Sequence, residues 1–184
     1  MLNSNTQRKP LPERLRPTTL EEYVGQEHLI GPDAILRKMI DAGNISSFIL
    51  WGPPGVGKTT LARIIASKLD RPFFTLSAIS SGVKDIRDVI EKSKNTTLFS
   101  TAAPILFIDE IHRLSPIVEE YLYSAMEDYK IDIVLDKGPS ARSIQIELAP
   151  FTLVGATTRS GLLTSPLRAR FGITCHLEYY DTPV

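Results

Sequence analysis

The strongest chemical signal in this sequence is the run GPPGVGKT at residues 52–59. A glycine, four further residues, Gly-Lys and a hydroxyl residue form the spacing of a loop that holds phosphate groups. The apolar run SFILW precedes this loop and a helical pattern begins near Lys58, so the loop joins a predicted strand to a predicted helix. Backbone N–H groups and the helix N-terminus would then face phosphate oxygens. The alternative, a Gly-Pro turn that carries a lysine by chance, does not account for the flanking elements.

The loop predicts binding of ATP or ADP together with Mg²⁺. Lys58 would reach the β- and γ-phosphates, Thr59 would be a ligand of Mg²⁺, and Thr60 would support the loop. The predicted nucleotide-contacting residues of the loop are Gly52, Pro53, Pro54, Gly55, Val56, Gly57, Lys58, Thr59 and Thr60.

A second signal is the pair of adjacent carboxylates, Asp109 and Glu110, that ends the apolar run ILFID. The carboxyl ends of strands form the ligand edge of a doubly wound sheet, so both acids would lie beside the phosphate loop. Asp109 would bind the Mg²⁺ shell through water, and Glu110 would polarise the attacking water. An isolated Asp-Glu pair is more often a solvated helix start, but the phosphate loop upstream favours catalysis.

Strands and helices alternate along most of the chain. The predicted strands are SFILW, PFFTL, PILFID, FTLVGA and a run within ITCHLEYY. The predicted helices are DAILRKMIDAG, residues 58–69, VKDIRDVIEKSK and PIVEEYLYSAMED. This alternation predicts an α/β P-loop NTPase fold, in which residues 27–184 form a parallel five-stranded sheet flanked by helices. Residues 130–149 instead alternate with period two around Lys137-Gly138-Pro139-Ser140, which predicts a protruding β-hairpin.

The composition restricts the partners and the compartment. Lysine plus arginine and aspartate plus glutamate each number 21, so no overall basic field would hold DNA, and DNA contact would be indirect, local or made by other domains. The one cysteine, Cys175, suits a reducing compartment. No apolar run approaches the roughly 18 residues that cross a bilayer, and the polar start resembles no export signal. We expect a cytoplasmic protein without membrane contact. The three histidines, His28, His112 and His176, are interpreted as surface or packing residues.

Two later motifs, FTLVGATTR and SPLRARFG, resemble the AAA+ family of ATPases. The resemblance implies that a polar residue after the first of these strands senses the γ-phosphate, which matches Thr158, with Thr157 adjacent. It also implies an arginine that enters the site of a neighbouring subunit, which matches Arg170, with Arg168 as the alternative. Hydrolysis would then require a homo-oligomer, and the family implies a ring, in our interpretation a hexamer.

The same resemblance assigns a role to residues 1–26, the N-terminal arm. Pro10, Pro12 and Pro17 should break any helix in the arm. By resemblance, the segment RLRPTTLEEYVGQ would lie along the adenine, although backbone contacts alone could also recognise the base. The implied residues near the base are Arg16, Pro17, Tyr23 and Val24.

Different parts of the chain resemble different AAA+ subfamilies. Residues 10–113, with SAISSGVKDIRDVIEKSKN, resemble the RarA (MgsA) family of replication-associated ATPases. Residues 105–184, with GATTRSGLLTSPLRARFGI, resemble the RuvB family, whose members drive Holliday-junction branch migration. Because ILFIDEIHR fits both families, we expect a chimera joined near residues 105–113.

The predicted hairpin corresponds, by resemblance to the RuvB family, to the element that docks the junction-binding partner RuvA. Ile144, Ile146 and Leu148 alternate with polar residues, so this apolar face could be exposed for such a partner or could pack on the core of the chain. A helical lid and a winged-helix DNA module, which the resemblance also implies, are not found in residues 1–184. We therefore expect impaired hydrolysis.

Three functions remain as expectations. The first is an ATP-hydrolysing motor of DNA recombination and repair that acts in RuvB-like branch migration. The second is a RarA-like ATPase of replication-fork maintenance. The third is a nucleotide-binding fragment without turnover, which a flat, near-zero hydrolysis rate with intact ATP binding would favour.

Overall fold

The structure of the protein is a computed structural model that describes residues 10–97, 102–134 and 143–180. Its strands are β1 (Phe48–Trp51), β2 (Phe73–Ser77), β3 (Ile105–Asp109), β4 (Lys130–Val134), β5 (Ser143–Glu147), β6 (Thr152–Thr157) and β7 (Ile173–His176). Its α-helices are α1 (Leu11–Arg14), α2 (Glu27–Ile30), α3 (Ile35–Asp41), α4 (Lys58–Lys68), α5 (Val83–Thr97), α6 (Pro116–Glu127) and α7 (Ser165–Ala169). Two 3-10 turns, Ile111–Arg113 and Ser160–Leu162, come shortly after β3 and β6.

Five strands form one parallel sheet in the order β2-β3-β6-β1-β7. The prediction of an α/β P-loop fold with a five-stranded parallel sheet is therefore confirmed. All six residues of β6, the central strand, are buried, as expected of a parallel strand with helices over both faces. Because the strands run in one direction, the carboxyl ends of β1, β3 and β6 meet at one edge of the sheet.

Alternate residues of the strands build two hydrophobic cores. In β1, Phe48 and Leu50 belong to one core and Ile49 to the other, since successive strand residues point to opposite faces. The first core is completed by side chains of α2, α3 and α4, and the second by side chains of α5, α6 and α7. Helices thereby cover both faces of the sheet. The edge formed by the carboxyl ends of the strands is the remaining place for a ligand site.

The long helices lie close to their predicted positions, whereas the arm differs. The expectation that prolines exclude any helix from the arm is wrong, because α1 forms one helical turn there. Pro12 occupies the first turn of α1, where a missing N–H removes no intrahelical hydrogen bond. The four residues of α2 are too few to show a helical period. Within the described ranges, no helix has the length and apolar character needed to cross a membrane.

The predicted β-hairpin is present as the antiparallel pair β4 and β5, separate from the main sheet. Ile131 of β4 is buried in the second core, and Tyr121 of α6 donates a hydrogen bond to the backbone oxygen of Asp132 at 2.7 Å. The base of the hairpin is thus attached to α6. The predicted turn, residues 137–140, lies outside the described residues.

Candidate active site

The phosphate loop leaves β1 and enters α4, as its sequence predicts. Gly57 precedes α4 with a φ of 90°, a left-handed conformation that favours glycine, and an added Cβ would lie 2.6 Å from the Tyr23 hydroxyl. At Gly52 an added Cβ would lie 2.2 Å from the backbone oxygen of Leu177. Both positions therefore require glycine. The first N–H groups of α4 have no intrahelical acceptor, which leaves them available to an anion.

Lys58, the first residue of α4, is 8% exposed. Its ammonium group donates hydrogen bonds to the backbone oxygens of Gly52 at 2.8 Å and Pro53 at 2.7 Å, so the loop curls around its own lysine. Burial lowers the pKa of Lys58, and the charges of Glu110 and Asp109 act in the opposite direction. The lysine and the two carboxylates lie at the same edge of the sheet, because β1 and β3 flank β6 and run in the same direction. Thr59 and Thr60 follow in the first turn of α4.

Asp109 is the last residue of β3, and Glu110 follows it with a left-handed φ of 52°. This backbone conformation costs a non-glycine residue roughly 1–2 kcal/mol, and such conformations cluster at functional sites. Asp109 Oδ1 accepts a hydrogen bond from the Glu110 N–H at 3.1 Å. Both carboxylates are half-buried at the edge of the sheet, where a ligand can reach them.

Two side chains contact the Glu110 carboxylate. The Thr158 hydroxyl donates to Glu110 Oε2 at 3.2 Å, and His112 Nδ1 lies 3.2 Å from the same oxygen. Thr157 is fully buried, and its hydroxyl lies 2.8 Å from His112 Nδ1. Of the two threonines at the end of β6, Thr158 is the one with a hydrogen bond to Glu110.

His112 is a site residue that sequence reasoning missed, because its side chain, only 5% exposed, packs against Glu110. Burial lowers the pKa of His112, Glu110 raises it, and Arg113 and Arg159 lower it further. The net lowering favours a neutral imidazole that acts as a hydrogen-bonding neighbour of the carboxylate. The only available signal was its position two residues after Glu110, which does not reveal that the chain turns back on itself there.

Arg170 follows α7 and is held by residues of its own chain. Its Nη2 lies 2.8 Å from Glu127 Oε1, and its guanidinium carbon lies 4.1 Å from the centre of the Tyr123 ring. Its Nη1 donates to the backbone oxygen of Pro166 at 2.8 Å. The alternative candidate, Arg168, is exposed and donates to the backbone oxygen of Ser160 at 2.8 Å.

The four arm residues predicted near the base do not lie together. Arg16 and Pro17 line a cavity of about 250 Å³ beside α4, with Arg63, Ile64 and Ser67. Val24, 77% exposed, lines a different cavity of about 320 Å³, next to the residues that follow β7. Tyr23 is buried, and its hydroxyl donates to the backbone oxygen of Val56 in the phosphate loop at 3.0 Å. Burial is the main cause that raises the pKa of Tyr23, and the neighbouring Tyr180 raises it further.

Tyr180 and Gln26 also hold the loop and the arm in place, and neither was predicted. The Tyr180 hydroxyl donates to the backbone oxygen of Val56 at 3.2 Å, beside Tyr23. The Gln26 amide donates to the backbone oxygen of Glu178 at 2.7 Å and accepts from the Glu178 N–H at 2.9 Å. The arm and the segment after β7 therefore meet next to the phosphate loop, and both line the Val24 cavity. Contacts across more than 150 residues leave no local sequence pattern.

The three hairpin residues predicted to bind a partner differ in exposure. Ile144 is 48% exposed, Ile146 is half-buried and Leu148 is 8% exposed within the second core. The apolar face therefore packs on the core at Leu148 and reaches solvent at Ile144. Each of the two alternatives describes one end of this face.

The fold and the edge residues define a P-loop domain of the AAA+ class. A family model for the "Holliday junction DNA helicase RuvB P-loop domain" matches residues 15–177. The chain thus belongs to the RuvB P-loop domain family.

Relatives and a solved structure agree with this family. The RuvB subunit of the Holliday junction branch migration complex from Parabacteroides distasonis is 55% identical over 170 residues, which cover 91% of this chain and 48% of the relative. The corresponding subunit from Flavobacterium johnsoniae is 48% identical and covers 97% of this chain and 51% of the relative. The structure of the Thermotoga maritima RuvB branch migration motor is 43% identical with a TM-score of 0.70, over 91% of this chain and 50% of that one. The chain spans about half the length of these relatives.

These similarities do not support the expected chimera or the RarA resemblance of its first part. One family model runs without interruption across residues 105–113, the predicted junction. The sheet gives a physical reason, since β1 from the first part pairs with both β6 and β7 from the second. The two parts therefore form a single sheet, and one family model covers both. A motif shared by two families, such as ILFIDEIHR, carries no information about a junction.

Proposed function

We propose that this domain binds and hydrolyses Mg·ATP at the carboxyl edge of the sheet. The observation that carries the proposal is geometric: β1, which leads into the loop of Lys58, and β3, which ends at Asp109 and is followed by Glu110, both pair with β6 and end at one edge. Glycine permits the loop conformation where a side chain would collide with Tyr23 or Leu177, and the N–H groups that begin α4 are available to a phosphate. Bound Mg²⁺ would supply positive charge to the phosphates.

Each edge residue then has a distinct role. Gly52, Pro53, Pro54, Gly55, Val56 and Gly57 provide the backbone of the loop, and Lys58 exchanges its loop oxygens for the β- and γ-phosphates. Thr59 and Asp109 would hold the metal, Thr59 directly and Asp109 through water, while Thr60 supports the helix start. Glu110 would orient and polarise the attacking water, and Thr158 would sense the γ-phosphate.

The base of the nucleotide would occupy the cavity next to the loop. Val24 and Tyr180 line this cavity, and Tyr23 and Tyr180 both hydrogen-bond the loop at Val56. Arg16 and Pro17 line another cavity. They would therefore not contact the base in the cavity lined by Val24 unless the arm changed its position.

Hydrolysis would be completed by a neighbouring copy of the chain. All the contacts described for Arg170 are to residues of α6 and α7, away from the loop residues. A trans arginine stabilises charge on the transferred phosphoryl group. We therefore propose a homo-oligomeric ring, a hexamer, in which Arg170 serves the next subunit.

The biological function that follows is branch migration of Holliday junctions, as in the RuvB relatives. The hairpin residues Ile144, Ile146 and Leu148 would dock a RuvA-like junction-binding protein, with the exposed Ile144 at the contact. DNA contact would come through that partner or through other domains. We propose a cytoplasmic location.

The enzymatic proposal can be tested with two substitutions that separate binding from turnover. Glu110→Gln keeps size and hydrogen bonding but removes the charge that activates water, so ATP binding should persist while hydrolysis falls by at least about 100-fold. Lys58→Ala should lose both binding and hydrolysis. Steady-state ATP hydrolysis and binding of a fluorescent ATP analogue measure the two properties. Equal hydrolysis by Glu110→Gln and the unsubstituted protein would remove Glu110 from the mechanism.

A further inference from the structure

One face of α6 carries a row of three side chains that contact α7. Glu119, Tyr123 and Glu127 are spaced by four residues, so they lie above one another on the helix. All three contact the residues at the ends of α7: Glu119 and Tyr123 contact Thr164 before it, and Tyr123 and Glu127 contact Arg170 after it. The row therefore spans α7 from its start to its end.

Glu119 fixes the start of α7. It is 9% exposed, and its Oε1 accepts hydrogen bonds from the hydroxyl groups of Tyr123 and Thr164. Thr164 is the N-cap of α7, and its Oγ1 accepts a hydrogen bond from the Leu167 N–H at 3.3 Å. A helix of five residues has too few hydrogen bonds to persist by itself. Its position is therefore set by such external contacts.

Tyr123 and Glu127 hold the end of α7. The Tyr123 ring lies under the guanidinium of Arg170, and Glu127 pairs with one end of it. The side chain of Arg170 is only 19% exposed, whereas that of Glu127 is 55% exposed. Among the residues that the structure describes, Arg170 Nε is the one buried side-chain nitrogen or oxygen without a hydrogen-bond partner. The guanidinium is thus held by its face and its two terminal nitrogens.

We propose that Glu119, Tyr123 and Glu127 are positioning residues for Arg170, and that this row sets the rate at which a neighbouring subunit hydrolyses ATP. The inference rests on the proposed trans role of Arg170. A planar guanidinium that is already oriented loses little freedom when it meets a phosphoryl group, and a displacement of about 1 Å can reduce a rate by up to about 100-fold. The residues that set the geometry of one site would then belong to the subunit next to it.

A mixing experiment assigns the effect of Glu127 to one side of the interface. The intact gene product that contains these residues is prepared as a Lys58→Ala variant, which donates Arg170, and as an Arg170→Ala variant, which holds ATP. Neither variant should hydrolyse ATP by itself, and their mixture should recover part of the activity. Glu127→Ala is then added to one variant or to the other.

We expect the effect of Glu127→Ala on ATP hydrolysis to depend on which of the two variants carries the substitution. On the arginine donor, Glu127→Ala should lower kcat of the mixture about fivefold with the KM for ATP unchanged, and Glu127→Gln, which keeps an acceptor, should restore part of the rate. On the ATP-holding variant, the same substitution should leave the recovered rate as it was. Glu91→Ala on the donor is the matched control, because it removes an exposed i,i+4 ion pair with Arg87 on α5.

The outcomes distinguish the trans role of Arg170 from the positioning role of Glu127. No recovery in the unmodified mixture would remove the trans role of Arg170 and this inference with it. Recovery that is insensitive to Glu127→Ala, or equally sensitive on both subunits, would overturn the inference alone. A rise in rate would also overturn it, because Glu127 would then restrain Arg170. Since Glu127 is mostly exposed, its replacement should leave the melting temperature nearly unchanged, which excludes unfolding as the cause.

Discussion

The carboxyl edge of the sheet and the face formed by α6, α7 and the hairpin differ in how their groups are satisfied. At the edge, Lys58 is bound by loop carbonyls and Glu110 by Thr158. On the other face, Arg170 keeps a buried nitrogen without a partner, and Ile144 is half exposed. In our proposal the edge binds and hydrolyses the nucleotide of its own chain, whereas the second face acts on a neighbouring subunit or a partner protein. Substitutions should therefore affect the two regions in different assays.

The largest effect is expected for Arg170→Ala in the assembled protein. Loss of a trans arginine should reduce ATP turnover by about 1,000-fold, because charge on the transferred phosphoryl group is no longer stabilised. ATP binding, which the edge provides, should change little. Arg168→Ala is the matched control and should keep most of the turnover. A larger loss with Arg168→Ala would exchange the roles of the two arginines.

The two ends of the hairpin face should respond in opposite ways to a new charge. Leu148→Asp places a carboxylate in the second core and should destabilise the domain by more than about 3 kcal/mol, measured by urea unfolding. Ile144→Asp changes an exposed residue and should leave the free energy of unfolding within about 0.5 kcal/mol of the original. Capture of purified RuvA should be lost with Ile144→Asp. Retained capture would show that RuvA binds elsewhere.

Gly52→Ala tests the steric basis of the edge. The added Cβ would lie 2.2 Å from the Leu177 backbone oxygen, so the loop or the end of β7 must move. We expect a loss of about 2 kcal/mol in unfolding free energy and weaker ATP binding. Gly161→Ala is the control, because an added Cβ at Gly161 meets nothing within 4 Å. Equal stability of the two variants would show that the loop tolerates a side chain.

The smallest effect concerns His112 and pH. Burial lowers the pKa of His112 below its ordinary value of 6.5, so the unfolded chain takes up the proton first as the pH falls. Stability linked to His112 is thus complete above pH 6.5 and is lost as the pH falls toward the lowered pKa. His112→Gln should therefore lose less stability than the unsubstituted protein between pH 7.5 and about pH 5. Parallel pH profiles from urea unfolding would contradict this linkage.

Features that depend on neighbouring residues could be predicted from the sequence, whereas contacts between residues far apart along the chain could not. The phosphate loop, the Asp109-Glu110 pair and the sheet follow from local spacing and apolar runs. The contact of His112 with Glu110 depends on a left-handed residue, and that of Glu127 with Arg170 joins residues 43 positions apart. Short helices such as α1, α2 and α7 have no measurable period. Sequence reasoning therefore identified the candidate residues and the elements that carry them, but not the contacts that orient those residues.

Binding of Mg·ATP at the edge built around Lys58 can be measured by a melting curve of the domain with and without ligand. A ligand that binds only the folded state stabilises it by about 2.7 kcal/mol at 100 times its Kd, so the melting temperature of the unsubstituted domain should rise. The Lys58→Ala variant should melt without such a rise, while Gly161→Ala should show it in full. An equal rise for Lys58→Ala and the unsubstituted domain would show that ATP binds independently of the loop lysine, and would exclude this edge as the nucleotide site.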